Sequence, residues 1–333
     1  MPDMILRALT QGAYDLQKVR IGYGNRICQA YYQAHGVEPG EKLEDALGEQ
    51  DKKLLDAIRG DYKRLTDGLV RMPSRATFSP STYLSSYSVL VMAKAYEEIL
   101  KAETTAMKSL AEHVEDTAIW RNFMASVRGC GPTMAAVILS RLDPERGDSV
   151  SNFWAFAGFD VAPDGRGRSR RKDHLVDREY TDKEGVVKTK KSITYDPWLK
   201  TKCYVLATCL LKAGGHYKEV YDAYKTRLKT QGPKDYEEVH ILNHRGWHWC
   251  PIDNIDWKSA KEVGERRVRQ TTDWANTTDG HRHNAAMRYM LKRFIRDLWE
   301  TWRRLEGLEV RGSYYERKLR GDIGTIDDRP TAT

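Results

Sequence analysis

The sequence predicts a mainly α protein: a helical, coiled-coil-like N-terminal part, a helix-hairpin-helix, a short β-hairpin insert and C-terminal helices. Three observations predict it. Apolar and aromatic residues recur at three-to-four-residue spacing in several long segments, which is the helical period. Gly and Pro gather at a few turn-rich points between those segments. One apolar-poor stretch, HLVDREYT and VVKTKK about a KEG turn, reads as two paired strands.

Over 4–35 the stripe is Leu6, Leu9, Ala13, Leu16, Val19, Tyr23, Ile27 and Tyr31, and it stops at Gly36, a helix C-terminal cap. A second helix is expected over 46–71, followed by the turn-rich linker 73–81. A long helix is then expected from Tyr83 to Val114, with Leu90, Ala93, Tyr96, Ile99, Leu100, Met107 and Leu110 on one face. Helices of that length pair as coiled coils, so a homo-oligomer through this helix is expected; burial inside the chain is the plainer alternative. Beyond it, WRNFMASV and TMAAVILSRL flank an RGCGP reversal, and SNFWAFAG forms a short helix ending on Gly158. Helices are expected at 196–213 and 216–230, a polar Trp-containing stretch at 232–278, and a last helix at 280–306. The expected division is 1–118 for the helical region and 119–333 for a DNA-binding domain. Within the latter lie the helix-hairpin-helix (120–142), a basic arm with the β-hairpin (164–191) and the C-terminal helices (196–306).

With 333 residues, 40% hydrophobic and 31% charged, the composition is that of a folded chain with ample core. Lys plus Arg exceed Asp plus Glu by 55 to 47, a formal charge of +8. A basic surplus favours a polyanionic partner, because phosphate contacts release counterions, although many basic proteins bind no nucleic acid. The opening MPDMILRALTQG has no apolar core of signal-peptide length, and Val89–Ala95 and Val205–Leu211 are too short to span a bilayer. Cysteines 28, 130, 203, 209 and 250 form no CxxC pair, so reduced thiols in a cytoplasmic protein with no membrane partner are expected.

The sharpest motif is VRGCGPTMAAVI, 127–138. Gly129 and Gly131 permit a tight reversal, and Pro132 suits the first turn of the next helix. Unpaired amides there can hold a phosphate without reading bases, so Arg128, Gly129, Gly131 and Thr133 are candidate DNA contacts. An ordinary helical connection is the plainer explanation. Downstream, Arg166, Arg168, Arg170, Arg171 and Lys172 stand among glycines in DGRGRSRRK, a cationic arm able to clamp phosphates; a solvated charge run is its plainer explanation. Arg282 and Arg288 open a basic face on the last helix, with Lys292, Arg293 and Arg296 behind them. His240, His244, His248 and Cys250 have ligand chemistry for zinc, but Gly246 and WHWC argue against the regular helix that would align them, and no metal site is expected.

The hairpin VRGCGPTMAAVILSRL, the following FWAFAGF and the far GHRHNAAMRYMLKRFIRDLW resemble the C-terminal transposase domain of the insertion-sequence 110/116/902 family. KVRIGYGNRICQAYYQAHGV is similar to the helix leading into that family's coiled coil. The resemblance implies DNA transposition, with a grip on DNA at Gly129, Gly131 and the helix from Pro132, and a guide-type RNA as a further partner. It also implies magnesium, held by the acidic residues of a RuvC-like domain that this sequence does not show; no cofactor is expected of this chain itself. The family uses a serine soon after the stretch matched by FAGF, and the nearest hydroxyl is Ser169, several residues late and set among arginines.

The expectation is therefore a transposase-related protein binding double-stranded DNA. A base-excision glycosylase is the first alternative, with Asp160 and Asp164 as its acids; a structural helical assembly protein is the second. Ser169 has no base or oxyanion partner evident in sequence, and Glu41, Glu44, Asp45, Glu49, Asp51, Glu97, Glu98 and Glu103 suit exposed helix faces. Binding without chemistry is expected.

Overall fold

The computed structural model describes residues 3–38, 47–162, 166–243, 246–252, 255, 257 and 259–311. The chain divides into two compact units, one over Pro2–Asp116 and the other from Thr117 onward.

The first unit is helical. Its α1 (Met4–His35) starts on Asp3, whose carboxylate accepts the Leu6 amide at 2.9 Å, and stops at Gly36 in the left-handed region, φ 62°. Helix α2 (Glu49–Thr66) is shorter than the sequence predicts, and α3 (Tyr87–Glu115) begins later because Ser86 caps it through the Val89 amide. Ile27, Tyr32, Leu55, Ile58, Leu90 and Tyr96 form the core. Gly24 lets the α1 backbone approach closely, since a Cβ there would lie 3.1 Å from Leu55 and 3.3 Å from Tyr96. Buried Glu103 on α3 accepts the Arg20 guanidinium and, at 3.3 Å, Gln17 from α1, while Arg20 also donates to the Tyr96 hydroxyl at 3.1 Å. Leu90, Ala93, Tyr96 and Leu110 are buried, with α1 packed along α3. Of the stripe that motivated self-association, Ile99, Leu100 and Met107 are half-buried. Glu41, Glu44 and Asp45 lie outside the described residues.

In the second unit α4 (Ala118–Asn122), α6 (Val150–Phe156), α7 (Pro197–Ala213) and α8 (His216–Thr230) pack on α9 (Asp279–Leu305), and α5 (Pro132–Leu139) packs on α7. Met290, Leu291, Phe294, Ile295, Leu298 and Trp299 make α9 a core helix. The Trp299 indole donates to Gly147 O at 2.7 Å, and buried Arg303 donates to the carbonyls of Pro144 and Gly147 at 2.5 and 3.1 Å, so loop 143–149 is stitched to its far end. Strands β1 (Val176–Thr181) and β2 (Val187–Ser192) form the expected antiparallel hairpin. The stretch after α8 departs from expectation. It is a three-stranded antiparallel sheet, ordered β4-β3-β5, from β3 (Asp235–Asn243), β4 (Gly246–Pro251) and β5 (Glu262–Gln270), so the C-terminal helices are interrupted. Its small core is Val239, Ile241 and Ile255. Among the described residues no helix is long and apolar enough to cross a membrane.

Asp61 ties the approach to α3 onto α2. Its carboxylate accepts the Ser81 hydroxyl at 2.8 Å and the Tyr83 amide at 3.0 Å, and pairs with Arg64. Burial opposes its ionisation, but these donors outweigh burial and hold the carboxyl below 3.8. A carboxyl depressed on folding stabilises above its unfolded value and loses that stabilisation as pH falls through the folded one. Wild type should therefore lose more melting temperature than Asp61→Asn when acidified below pH 4, measured by circular dichroism; equal slopes would show that Asp61 contributes nothing through its charge.

Candidate functional site

The reversal at 127–131 is built as a hairpin between short helices. Helix α4 breaks at Phe123 and a 3-10 turn follows at Met124–Ser126, so the first helix is less regular than the sequence predicts. Gly129 takes φ 88°, and a Cβ there would lie 2.6 Å from the Cys209 carbonyl of α7. Gly131 has an ordinary φ of −77° with open space at its Cβ position. Its carbonyl accepts the Met134 and Ala135 amides, whereas the amides of Gly131 and Thr133 make no backbone hydrogen bond among the described residues. Gly131 and Arg128 are exposed and Thr133 half-buried. Helix α5 behind them is buried from Ala135 to Leu139, so its first turn faces outward on a rigid support.

From Arg166 the basic arm makes backbone contacts with Asp160–Ala162. Ala162 donates to Arg166 O at 2.7 Å, Arg168 to Asp160 O at 3.2 Å, and Val161 bridges Gly167. The Arg168 guanidinium is committed to the Asp160 carboxylate at 2.7 Å, which binds it internally. Arg166, Arg170, Arg171 and Lys172 are exposed. The Arg288 guanidinium from α9 lies directly on Gly167, where any Cβ would collide with it at 1.9 Å. A side chain there would have to displace the flexible end of Arg288. Lys200 of α7 donates to Arg168 O at 2.6 Å and sits 4.5 Å above the Tyr195 ring; Lys292 of α9 sits 4.1 Å above Trp154.

Among the described residues, Arg168 pairs with Asp160, whose charge also acts on Lys200 and Lys292, and Arg288 acts on both lysines. Burial, followed by the charges of Arg288 and Arg168 against the opposing pull of Asp160, lowers Lys200 to about 8. Burial and Arg288 likewise lower Lys292. Burial is the larger cause for both lysines, and the Arg288 charge adds to it.

Ser169 follows Arg168 along the chain. Its hydroxyl lies 2.9 Å from Nδ1 of His174, and its own amide donates to the same nitrogen at 3.0 Å. Because Nδ1 accepts an N–H, its lone pair faces Ser169 and is placed to take the hydroxyl proton. The 3-10 turn Lys172–His174 folds the buried imidazole back onto the serine, and the Arg171 amide donates to Oγ at 3.3 Å. This hydrogen-bond partner of Ser169, five residues downstream, is one that sequence reasoning missed.

Other expected site residues are placed differently. Arg282 donates to the carbonyls of Trp274, Ala275 and Thr277 at 3.2, 3.1 and 2.6 Å, holding the entry to α9 rather than facing a phosphate. Arg296 pairs with Glu300 at 2.8 Å. Strand pairing sets His240 opposite Trp249, on one face, and His248 opposite Ile241 with Cys250 opposite Val239, on the other. His244 and Asp164 lie outside the described residues. Among the described residues no group of three His, Cys, Asp or Glu is arranged to hold a metal. No protein-family model matches the sequence, and no curated protein or solved structure matches the chain.

The two hairpin glycines should separate on mutation. Gly129→Ala meets a backbone carbonyl in a left-handed conformation and should cost about 2 kcal/mol or more, read from urea unfolding. Gly131→Ala should leave stability within about 0.5 kcal/mol of wild type. Equal losses would contradict the assigned geometry.

Proposed function

We propose that this chain is a transposase-type DNA-binding protein that holds duplex DNA at the 127–133 hairpin and places a backbone phosphate beside Ser169. The observation that carries the reading is the Ser169–His174 hydrogen bond, one residue along the chain from Arg168, whose carbonyl accepts Lys200. Outward amides at a helix start suit a phosphate, as does the Lys200 ammonium on that carbonyl. The first favours binding alone. The second, next to a hydroxyl and its base, favours chemistry and moves the reading beyond the binding-only expectation.

In the proposed step Ser169 Oγ attacks phosphorus and its proton passes to His174 Nδ1. The bond to one strand end breaks, and that oxygen takes a proton from Lys200 or solvent. A phosphodiester between Ser169 Oγ and the other strand end replaces the broken one, so the bond energy is kept for rejoining. Arg288 and Lys292 offset the charge developing on the phosphoryl oxygens. The glycosylase alternative fits less well, because Asp160 is held by Arg168. A cytoplasmic setting is part of the same reading, in keeping with five free thiols.

Pure protein should nick supercoiled plasmid, with or without magnesium. Ser169→Ala should abolish nicking, and His174→Ala should slow it about 10²–10⁴-fold. Nicking retained in Ser169→Ala would exclude the serine; absence of nicking in wild type together with tight binding would return the chain to a binding role. Lys200 gives a pH signature. Below about 8 it is charged in the free protein, and above about 8 binding must first take up a proton. Duplex affinity should therefore decline as pH rises through about 8, and Lys200→Met should flatten that decline in fluorescence anisotropy.

A further inference from the structure

The β1–β2 hairpin carries no core: all of β1, and β2 up to Lys191, is exposed on both faces. A two-stranded ribbon alone is marginal in water. This one is nevertheless closely built. In its turn Asp182 Oδ1 accepts the Glu184 and Val186 amides at 2.9 Å each, and Gly185 takes φ 81°. Its root is anchored by buried His174 on entry, and on exit by buried Tyr195 and the Asp196 amide, which donates to Phe156 O at 2.8 Å.

Register sorts its charges by face. One face pairs Asp177 with Lys191, an ion pair at 3.3 Å, and carries Glu179 opposite Thr189. The other pairs Val176 with Ser192, Arg178 with Lys190, and Tyr180 with Lys188, and has no acid of its own. Arg178 directly opposite Lys190 is a like-charge pair, which destabilises a ribbon in water. Lys190 leans 4.9 Å over the Tyr180 ring, Lys188 reaches the turn's Asp182 at 2.6 Å, and Arg178 has no ion pair among the described residues.

We propose that this cationic face enters the major groove of duplex DNA, with Arg178, Lys188 and Lys190 on its phosphates. The inference rests on the DNA-binding reading above and adds a second contact region. A groove about 12 Å wide admits a two-stranded ribbon, and six-residue strands reach roughly 20 Å. The like-charge pair, unfavourable in water, is relieved between two phosphate walls. The rigid turn means little ordering entropy is lost on entry. Since the ribbon springs from the Ser169–His174 turn, its seating in the groove sets the register of the backbone at that serine.

The test uses the full chain, a 30-base-pair duplex and fluorescence anisotropy across a salt series. Arg178→Gln/Lys188→Gln/Lys190→Gln should reduce the log–log salt slope by about 2–3, at roughly 0.9 per phosphate lost. Asp177→Asn/Lys191→Gln, charge-neutral on the opposite face, should keep the wild-type slope. Wild type, but not the triple variant, should protect guanine N7 from dimethyl sulfate. Circular dichroism should be unchanged in both variants, since none of these side chains is buried. Wild-type binding with an unchanged slope in the triple variant would overturn the ribbon's role alone, as would equal loss in both variants or preference for an acidic protein over duplex. No duplex binding by wild type would overturn the DNA reading and the ribbon with it.

Discussion

The contact on which the candidate site depends is the guanidinium of Arg288 lying flat on Gly167. It joins α9, the core helix of the second unit, to the 160–168 turn, and a side chain at position 167 would have to displace it. From it follows the crowding of Lys200 and Lys292, each held below its ordinary value by burial and then by Arg288. Folding alone would not select such crowding. Charges of one sign brought together raise the free energy of the folded state, and here the two ammonium groups rest on the Tyr195 and Trp154 rings. Strain gathered at one place in an otherwise well-packed unit is what a binding site requires.

The first unit treats charge in the opposite way. Glu103 is buried, but Arg20 neutralises it and Gln17 fills its remaining capacity. The hydrogen bond from Glu103, opposed by burial, raises Arg20 above its ordinary value. Removing either partner would leave a buried charge alone, so the pair fixes the register of α1 against α3 more than it adds net stability. With the apolar stripe of α3 packed against α1, this unit presents a satisfied three-helix core, and the crowding of Arg288, Lys200 and Lys292 lies in the other unit.

The helices were legible because stripe and cap agree: Asp3, Gly36 and Ser86 stand where apolar periodicity starts or stops. The three-stranded sheet was not. Strand β3 buries only Glu238, Val239 and Ile241, and β5 has no buried side chain, so no alternation of apolar and polar residues exists there to be read. Within the site, Gly129 was legible from its reversal, whereas His174 was hidden inside what reads as the start of a strand. Only the 3-10 turn brings it back to Ser169, and a five-residue separation belongs to no secondary-structure period. Lys200 looked like one more solvated lysine on a helix, because its burial depends on Tyr195 and on an arm whose order sequence does not reveal. Arg282 misled for the converse reason: a helix-start arginine has the chemistry of a phosphate contact, and three loop carbonyls claim it first.

Order in the arm and ribbon also decides how affinity would be divided. A mobile cationic strand loses conformational freedom on each phosphate it meets, at roughly 0.5–1.5 kcal/mol per immobilised side chain. Here the backbone from Arg166 to Tyr195 is already held by the Asp160–Arg168 pair, the His174 turn, the Asp182 turn and the Asp196 cap. Only side-chain rotamers remain to be fixed. Counterion release then appears almost undiminished as affinity, and it does so at a fixed distance from Ser169. In the proposed function, a preorganised cationic surface beside a hydroxyl would do more than attract polyanions; it would restrict which phosphate of the backbone reaches Ser169.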